Sequence, residues 1–227
     1  MNALLNSFLD RAKECYELKE LERLGLTPDL DQREQILTYI CLLYKWNDTA
    51  GLIPESDESI LFLRHFCDSL QPLLLFGFKK GATVLNLGAS NGFPSIPIRI
   101  FRPDLSFVLQ ESDAEKSSFL KAVKNELEYE NIEINEDEVS GLQKESKKFD
   151  YVISREYETL QNFSGVAKPL VASDGHMYTF KTDQFANELD FITNNKETDG
   201  IRISEIAEYD LGNQIMGLNL VSLELVH

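Results

Sequence analysis

Val84-Leu-Asn-Leu-Gly88-Ala-Ser-Asn-Gly92-Phe-Pro94 is the stretch of this sequence that decides the fold. Its apolar start is typical of a buried strand, and its glycines are typical of a tight turn into a helix. Glu111 ends the next apolar run, near the spacing of roughly 20 residues at which a carboxylate accepts hydrogen bonds from ribose. This order of parts predicts the nucleotide-binding corner of a doubly wound α/β sheet.

The residues of this corner leave two interpretations open. Gly88 and Gly92 either remove Cβ atoms where a ligand approaches the backbone, or simply allow the tight turn. Glu111 either holds a ribose or is a first-turn carboxylate that the dipole of the next helix favours. We expect the ligand-binding alternative at both places.

The rest of the chain extends this corner into a sheet. From Lys80 onward, strand candidates alternate with helical patterns, which favours a mostly parallel sheet with helices on both faces. Ser112 and Glu115 fit a capping box for the helix after the second strand. The last two strands are joined by too few residues for a helix, which predicts a terminal antiparallel hairpin. The strand candidates are Thr83–Leu87, Ser106–Gln110, Ile132–Ile134, Tyr151–Ser154, His176–Phe180, Ile203–Glu208 and Leu218–Leu225.

The first seventy-odd residues are predicted to be helical. Asp31 and Glu34 fit a capping box, and the helix that they begin should end near Trp46. A second helix is predicted over about residues 57–75, where Pro72 would bend or break it.

Length and composition indicate one compact globular unit. The chain has 227 residues, of which 43% are hydrophobic and 26% charged, enough for one sizeable core. We expect residues 1–76 to form a helical segment that packs on a core formed by residues 77–227.

The net charge of −16 argues against a general nucleic-acid binder, because non-specific binding depends on neutralising phosphates. A solvated acidic face explains the excess most simply, and a local basic patch remains compatible with it. No apolar run approaches the roughly 18 residues of a membrane span, and no export signal is evident. The three cysteines lack the pairing of a disulfide framework or metal site. We therefore expect a cytoplasmic protein without a metal ion or a membrane segment.

Several motifs identify a family. Lys45-Trp46-Asn47, Arg64-His65-Phe66-Cys67-Asp68-Ser69-Leu70 and Gly88-x-x-x-Gly92-Phe93-Pro94-x-Ile96-Pro97 occur in this order. The sequence resembles a class I S-adenosylmethionine-dependent methyltransferase, whose Rossmann-like sheet has an antiparallel last strand, here preceded by N-terminal helices. Within that class it is similar to the ribosomal RNA small subunit methyltransferase G family (RsmG, also glucose-inhibited division protein B). The similarity covers about residues 30 to 182.

The resemblance implies transfer of a methyl group from S-adenosylmethionine to guanine N7 of small-subunit (16S) ribosomal RNA. The implied partner is that RNA or a ribosomal particle, and we expect a monomer. Guanine N7 carries a lone pair and no proton, so no catalytic base is predicted and positioning suffices. The residues implied to bind the donor are Gly88, Ser90, Gly92, Phe93, Glu111, Ser140, Gly141 and Arg155. The residues implied to bind the RNA are Arg64, His65, Arg155 and Lys181.

Three of these assignments have alternatives. Arg155 is expected at the mouth of the site, where it would reach either the carboxylate of the donor or an RNA phosphate. His65 either touches RNA or the donor, or is a hydrogen-bonded structural histidine. Arg64 either binds RNA or has Asp68, four residues away on the same helix face, as an internal partner.

Several positions depart from the family pattern. Ser90 and Ser95 stand where glycine is usual, Glu111 stands where aspartate is usual, and Glu156 follows Arg155 where alanine is usual. These departures leave open the alternative of a degenerate protein that has the methyltransferase fold but no methyl-transfer activity. The acidity leaves open a methyltransferase for a small molecule or a protein.

Overall fold

The structure, a computed structural model, describes residues 18–155, 159–182, 185, 188–189, 200–212 and 215–226. Seven strands within these ranges form one sheet. Their bounds are β1 Thr83–Leu87, β2 Ser106–Gln110, β3 Ile132–Asn135, β4 Phe149–Ser154, β5 Val171–Thr182, β6 Ile201–Leu211 and β7 Ile215–Leu225. All seven predicted strands are confirmed, and the last three are longer than the apolar pattern indicated.

The order of the strands is β3-β2-β1-β4-β5-β7-β6. The first five of these pair in parallel, whereas β7 is antiparallel to both β5 and β6. The predicted terminal hairpin is therefore confirmed. The strand order reverses between β1 and β4, and ligands of such sheets bind at the carboxyl ends of the strands at this reversal. Gly88, Glu111 and Arg155 each follow a strand at that edge.

Helices precede the sheet and cover it. They are α1 Leu18–Arg23, α2 Leu30–Ala50, α3 Ser95–Phe101, α4 Ala114–Glu126, α5 Val139–Lys144 and α6 Leu160–Ala167. The region from 55 to 76 is not one helix. It comprises a 3₁₀ turn at Glu55–Ile60 and two wider π-helical turns at Phe62–Cys67 and Pro72–Phe76, so the break predicted at Pro72 is confirmed.

Both predicted capping boxes are misplaced by one or two residues. Asp29, not Asp31, caps α2: its carboxylate accepts from the Gln32 amide, and the Gln32 side chain accepts from the Asp29 amide. Asp113, not Ser112, caps α4. Several oxygen-bearing residues lie side by side at both starts, and the cap is the one whose backbone remains extended.

The end of α2 also differs from the prediction. The helix continues past Trp46 to Ala50, and Gly51 closes it in the left-handed conformation with φ 56°. Because glycine adopts this conformation readily, it is a stronger signal for the end of a helix than the polar residues before it.

The helical segment and the sheet share one hydrophobic core. Buried side chains from Leu21, Tyr39, Phe66, Ile96 and Leu120 belong to a single cluster. A second cluster fills the opposite face of the sheet, under α6. Within the described ranges, no helix has the length and apolar character needed to cross a membrane.

Candidate functional site

The turn after β1 contains three residues in the left-handed conformation and is hydrogen-bonded to β2. Gly88, Ser90 and Gly92 have φ values of 64°, 46° and 92°. The Gly88 amide donates to the Gln110 side chain at 3.2 Å, and the Ala89 amide donates to the Gln110 carbonyl at 2.8 Å. These bonds fix the turn beside the carboxyl end of β2.

Glu111 lies beside this turn. Its carboxylate is buried, and its two oxygens accept from the Ser90 amide at 2.8 Å and the Asp113 amide at 2.9 Å. Each carboxylate oxygen has a second lone pair, so two acceptor positions remain for ribose hydroxyls. The contact with Asp113 joins Glu111 to the start of α4, so the helix-dipole alternative describes part of its environment too.

The loop after β3 is coupled to the same turn. The Gln110 amide group donates to the Asp137 carbonyl at 3.1 Å while its oxygen accepts from Gly88. Ser140 and Gly141 lie in the first turn of α5 next to this loop. The buried Asn135 side-chain oxygen, at the end of β3, has no hydrogen-bond partner among the described residues. A ligand amino group at this edge would satisfy it.

Gly92 serves interior packing, which corrects the expectation that its missing Cβ makes room for a ligand. A Cβ here would lie 2.8 Å from Ile96 Cγ1 and 3.1 Å from the Tyr39 hydroxyl oxygen. That hydroxyl donates to the Asn91 carbonyl at 2.6 Å. The glycine therefore lets α2 pack against the turn.

Replacing Gly92 with alanine should cost about 2–4 kcal/mol of unfolding free energy, from overpacking and from the positive φ. The matched control is Gly165→Ala on α6, where nothing lies within 4 Å of an added Cβ. Alanine there should stabilise the helix slightly. Urea denaturation of both variants measures the difference. Equal effects at the two positions would refute the packing role of Gly92.

Ser90 has the positive φ that glycine adopts more readily, at a position where the family usually has glycine. Ser90→Gly should stabilise the protein by about 0.5–1 kcal/mol, the difference between relieved strain and the added entropy of the unfolded chain. Ser146, at φ 55° on the surface, is the control: Ser146→Gly should give a similar gain. Thermal or urea unfolding compares the two, and a destabilised Ser90→Gly protein would contradict this account.

Phe93 and His65 close the turn against the helical segment. The buried Phe93 ring packs edge-on against Tyr39 and stacks on the His65 imidazole at 5.6 Å. His65 Nε2 lies 2.9 Å from the Asp57 carboxylate. Burial, and next the positive charge of Arg155, lower the His65 pKa to about 4. The contacts favour the structural alternative for His65.

The stability of the protein should depend on pH through His65. Its folded-state pKa of about 4 lies below the ~6.5 of an unfolded chain. Between these values only the unfolded state binds the proton. The contribution of His65 to the free energy of unfolding is therefore fully present above pH ~6.5. The free energy of unfolding should fall by about 3 kcal/mol as the pH drops through 4. His65 faces Asp57, Arg64 and Arg155, which remain charged over most of this window.

Urea unfolding between pH 7 and pH 4 measures this dependence, with His65→Gln as the comparison. The glutamine variant lacks the titrating ring, so the difference between the two proteins isolates the histidine. Identical pH dependence, or an NMR-measured imidazole pKa near 6.5, would refute the prediction.

Arg155 lies where β4 ends beside β1. The preceding residue, Ser154, donates to the Leu87 carbonyl at 2.7 Å. The guanidinium of Arg155 lies 2.6 Å from the Asp68 carboxylate and faces the rings of Phe93 and Phe180, at 6.0 and 5.2 Å. It thus separates the turn after β1 from the end of β5.

Asp68 does not pair with Arg64, which corrects the sequence-based alternative of an internal pair. One Asp68 oxygen accepts from Arg155, and the other accepts from the Tyr209 hydroxyl at 2.6 Å. Arg64 instead lies 3.6 Å from Asp57. Residues 62–67 form a π-helical turn, so the helical spacing that predicted the Arg64 pair does not apply.

A small cavity of about 170 Å³ adjoins Arg155, and Arg64, Asp68, Phe180, Lys181 and Tyr209 are among its lining residues. The Lys181 side chain is almost fully buried, with its ammonium 3.1 Å from the Glu188 carboxylate. A phosphate would compete with Glu188 for this ammonium, and RNA binding by Lys181 stays a prediction. Glu156 lies outside the described residues.

The site residues therefore form two adjoining groups. Gly88, Ser90 and Glu111 lie together at the β1 turn, whereas Arg64 and Lys181 line the cavity beside Arg155. The sequence did not identify Gln110, Asp57 or Tyr209 as parts of the site. Only Gln110 carried a signal, as a polar residue that ends a buried strand beside the expected ribose carboxylate.

Comparisons with solved structures agree with the fold. A SAM-dependent methyltransferase from Aquifex aeolicus superposes with a TM-score of 0.55 at 17% identity, covering 81% of this chain and 98% of the other. Fibrillarin from Aeropyrum pernix, solved with natively bound S-adenosyl-L-methionine, gives a TM-score of 0.53 at 13% identity, covering 71% and 75%. Both support the class I methyltransferase fold.

Comparisons of sequence identify the family. The family model described as rRNA small subunit methyltransferase G matches residues 32–215. The ribosomal RNA small subunit methyltransferase G of Lactobacillus helveticus is 35% identical over 164 residues, 70% of this chain and 68% of that protein. The protein of the same name from Lachnoclostridium phytofermentans is 28% identical over 212 residues, 92% and 88%. This chain belongs to the rRNA small subunit methyltransferase G family.

Proposed function

We propose that this protein transfers a methyl group from S-adenosylmethionine to guanine N7 of small-subunit (16S) ribosomal RNA. We further propose that it acts as a cytoplasmic monomer on the RNA or on a ribosomal particle. The observation that carries the proposal is the buried Glu111 carboxylate after β2, which accepts from the Ser90 amide in the turn after β1. The match to the family model over residues 32–215 supports the proposal.

The donor side offers groups that fit an adenosyl compound. Glu111 has two further lone pairs for the ribose hydroxyls, and the left-handed Gly88 and Ser90 lie in the turn beside it. Ser140 and Gly141, with the unsatisfied Asn135 oxygen, lie at the edge that we assign to the adenine. S-adenosylmethionine, when bound, supplies an electrophilic methyl group on a sulfonium centre.

The acceptor side requires positioning and no proton transfer. Guanine N7 presents a lone pair, so the residues must hold the base in line and exclude water. Phe180 offers a ring face for a purine, and Arg155, Arg64 and Lys181 bring positive charge to the cavity. Each of these cations has a carboxylate partner within the protein, so an RNA phosphate would compete with Asp57, Asp68 and Glu188.

The test is methyl incorporation from radiolabelled S-adenosylmethionine into small subunits and naked 16S RNA from cells that lack this protein. Incorporated label should appear in 7-methylguanine, which borohydride and aniline treatment detects as strand cleavage. RNA from cells that contain the protein is the control, because its site is already modified. Donor binding without incorporation into either substrate would favour the degenerate alternative. Incorporation of label into free metabolites or proteins alone would favour a methyltransferase for a small molecule or a protein.

A further inference from the structure

Arg155 is held by a network that reaches the far edge of the sheet. Asp68 is buried, and its two oxygens are divided between the Arg155 guanidinium and the Tyr209 hydroxyl, each at 2.6 Å. Tyr209 belongs to β6, the edge strand of the terminal hairpin, and pairs there with Leu218 of β7. The hydrogen bonds that Tyr209 and Arg155 donate to Asp68 thus connect the hairpin to the site.

The other contacts of Arg155 restrict the plane of its guanidinium group. They leave the group able to shift within that plane. The Arg64 and His65 carbonyls lie at 3.3 and 3.4 Å, which are long contacts, and the Phe93 and Phe180 rings lie above 5 Å. Of the Arg155 contacts with described residues, only the one with Asp68 is short. The orientation of the Asp68 carboxylate therefore decides where the Arg155 guanidinium lies.

A carboxylate with one fixed oxygen is free to rotate about its last bond, whereas one with both oxygens bonded is not. The Tyr209 hydroxyl supplies the second bond from a separate element. Tyr209 is half-buried against a mainly apolar cluster. The contact with Asp68 gives its hydroxyl group a hydrogen-bond partner there.

We propose that Tyr209 and Asp68 are positioning residues, which hold the Arg155 guanidinium between the donor turn and the acceptor cavity. Tyr209 acts through Asp68, and Asp68 acts through Arg155. This inference rests on the proposed function for its kinetic consequence, whereas its structural content concerns Arg155 alone. It gives the terminal hairpin a part in the site, beyond closing the sheet.

The test compares Tyr209→Phe, Asp68→Asn and the matched control Tyr129→Phe. Tyr129 is a buried tyrosine on another part of the fold, whose hydroxyl donates to the Gln35 side-chain oxygen at 2.6 Å. The structural readout is the hydrogen exchange of the Arg155 guanidinium protons by NMR. The functional readout is kcat/KM for the RNA substrate at saturating donor. Thermal unfolding verifies that each variant is folded.

Tyr209→Phe should accelerate exchange at Arg155 and lower kcat/KM about tenfold, mainly through kcat, with Asp68→Asn giving a larger loss. Tyr129→Phe should change neither readout. Unchanged exchange at Arg155, or faster exchange with kcat/KM within twofold of the wild type, would overturn the positioning role. If the wild type transfers no methyl group, the proposed function fails. The exchange measurement then decides separately whether Tyr209 fixes Arg155.

Discussion

Glu111→Ala should weaken binding of S-adenosylhomocysteine by about 100-fold in a calorimetric titration. The variant loses two charge-assisted hydrogen bonds to ribose hydroxyls, together about 2.7 kcal/mol. It also leaves the Ser90 and Asp113 amides without their acceptor. The turn after β1 should therefore loosen, and the unfolding temperature should fall.

Two controls separate the ribose contact from a general charge effect. Glu115→Ala removes an exposed carboxylate from the first turn of α4 and should change affinity by less than about twofold, as expected for an exposed charge. Glu111→Asp, which restores the residue usual in the family, should retain measurable binding because the acid is kept. If Glu111→Ala and Glu115→Ala weakened binding equally, Glu111 would not be the ribose acceptor.

Arg155→Ala should both stop methyl transfer and destabilise the fold. Removing the guanidinium leaves the Asp68 carboxylate buried with only the Tyr209 hydroxyl as its partner. An uncompensated buried charge of this kind costs about 3–5 kcal/mol. Methyl transfer should fall by at least about 100-fold, the usual effect of deleting one charged group that positions the reacting partners.

A second substitution distinguishes the two effects. Arg155→Ala combined with Asp68→Asn removes the buried charge as well, so urea unfolding should show that most of the lost stability returns. Burial already raises the Asp68 pKa, with the charge of Arg155 acting in the opposite direction. Methyl transfer should remain lost in the double variant. Arg155→Ala as stable as the wild type, or a double variant that regains activity, would contradict the assigned roles.

The sheet could be predicted from the sequence because its signals are local. β1 and β2 are short, mainly apolar runs between turn residues, and they begin and end where this pattern places them. Helix starts were less accurate, since Asp29 and Asp31 are chemically equivalent caps and only the backbone distinguishes them. The turns between 55 and 76 deviate from α-helical spacing, and no residue pattern indicated the wide turn at 62–67.

The donor half of the site was predictable for a similar reason. Gly88 and Glu111 follow adjacent strands, so local spacing brings them together at one edge. The acceptor half depends on contacts between distant segments. Asp68 meets Arg155 and Tyr209 across 87 and 141 residues of chain, and spacing along the sequence carries no signal for such contacts. The single-helix assumption instead offered Asp68 as a partner for Arg64.

The central claim is that the β1 turn and the Glu111 carboxylate beside it bind the adenosyl donor. A crystal structure with S-adenosylhomocysteine tests it most directly. We predict both ribose hydroxyls within hydrogen-bond distance of the Glu111 carboxylate, and the sulfur directed toward the cavity beside Arg155. A ligand bound elsewhere, or a Glu111 carboxylate that contacts only the Ser90 and Asp113 amides while the ligand is present, would contradict the claim.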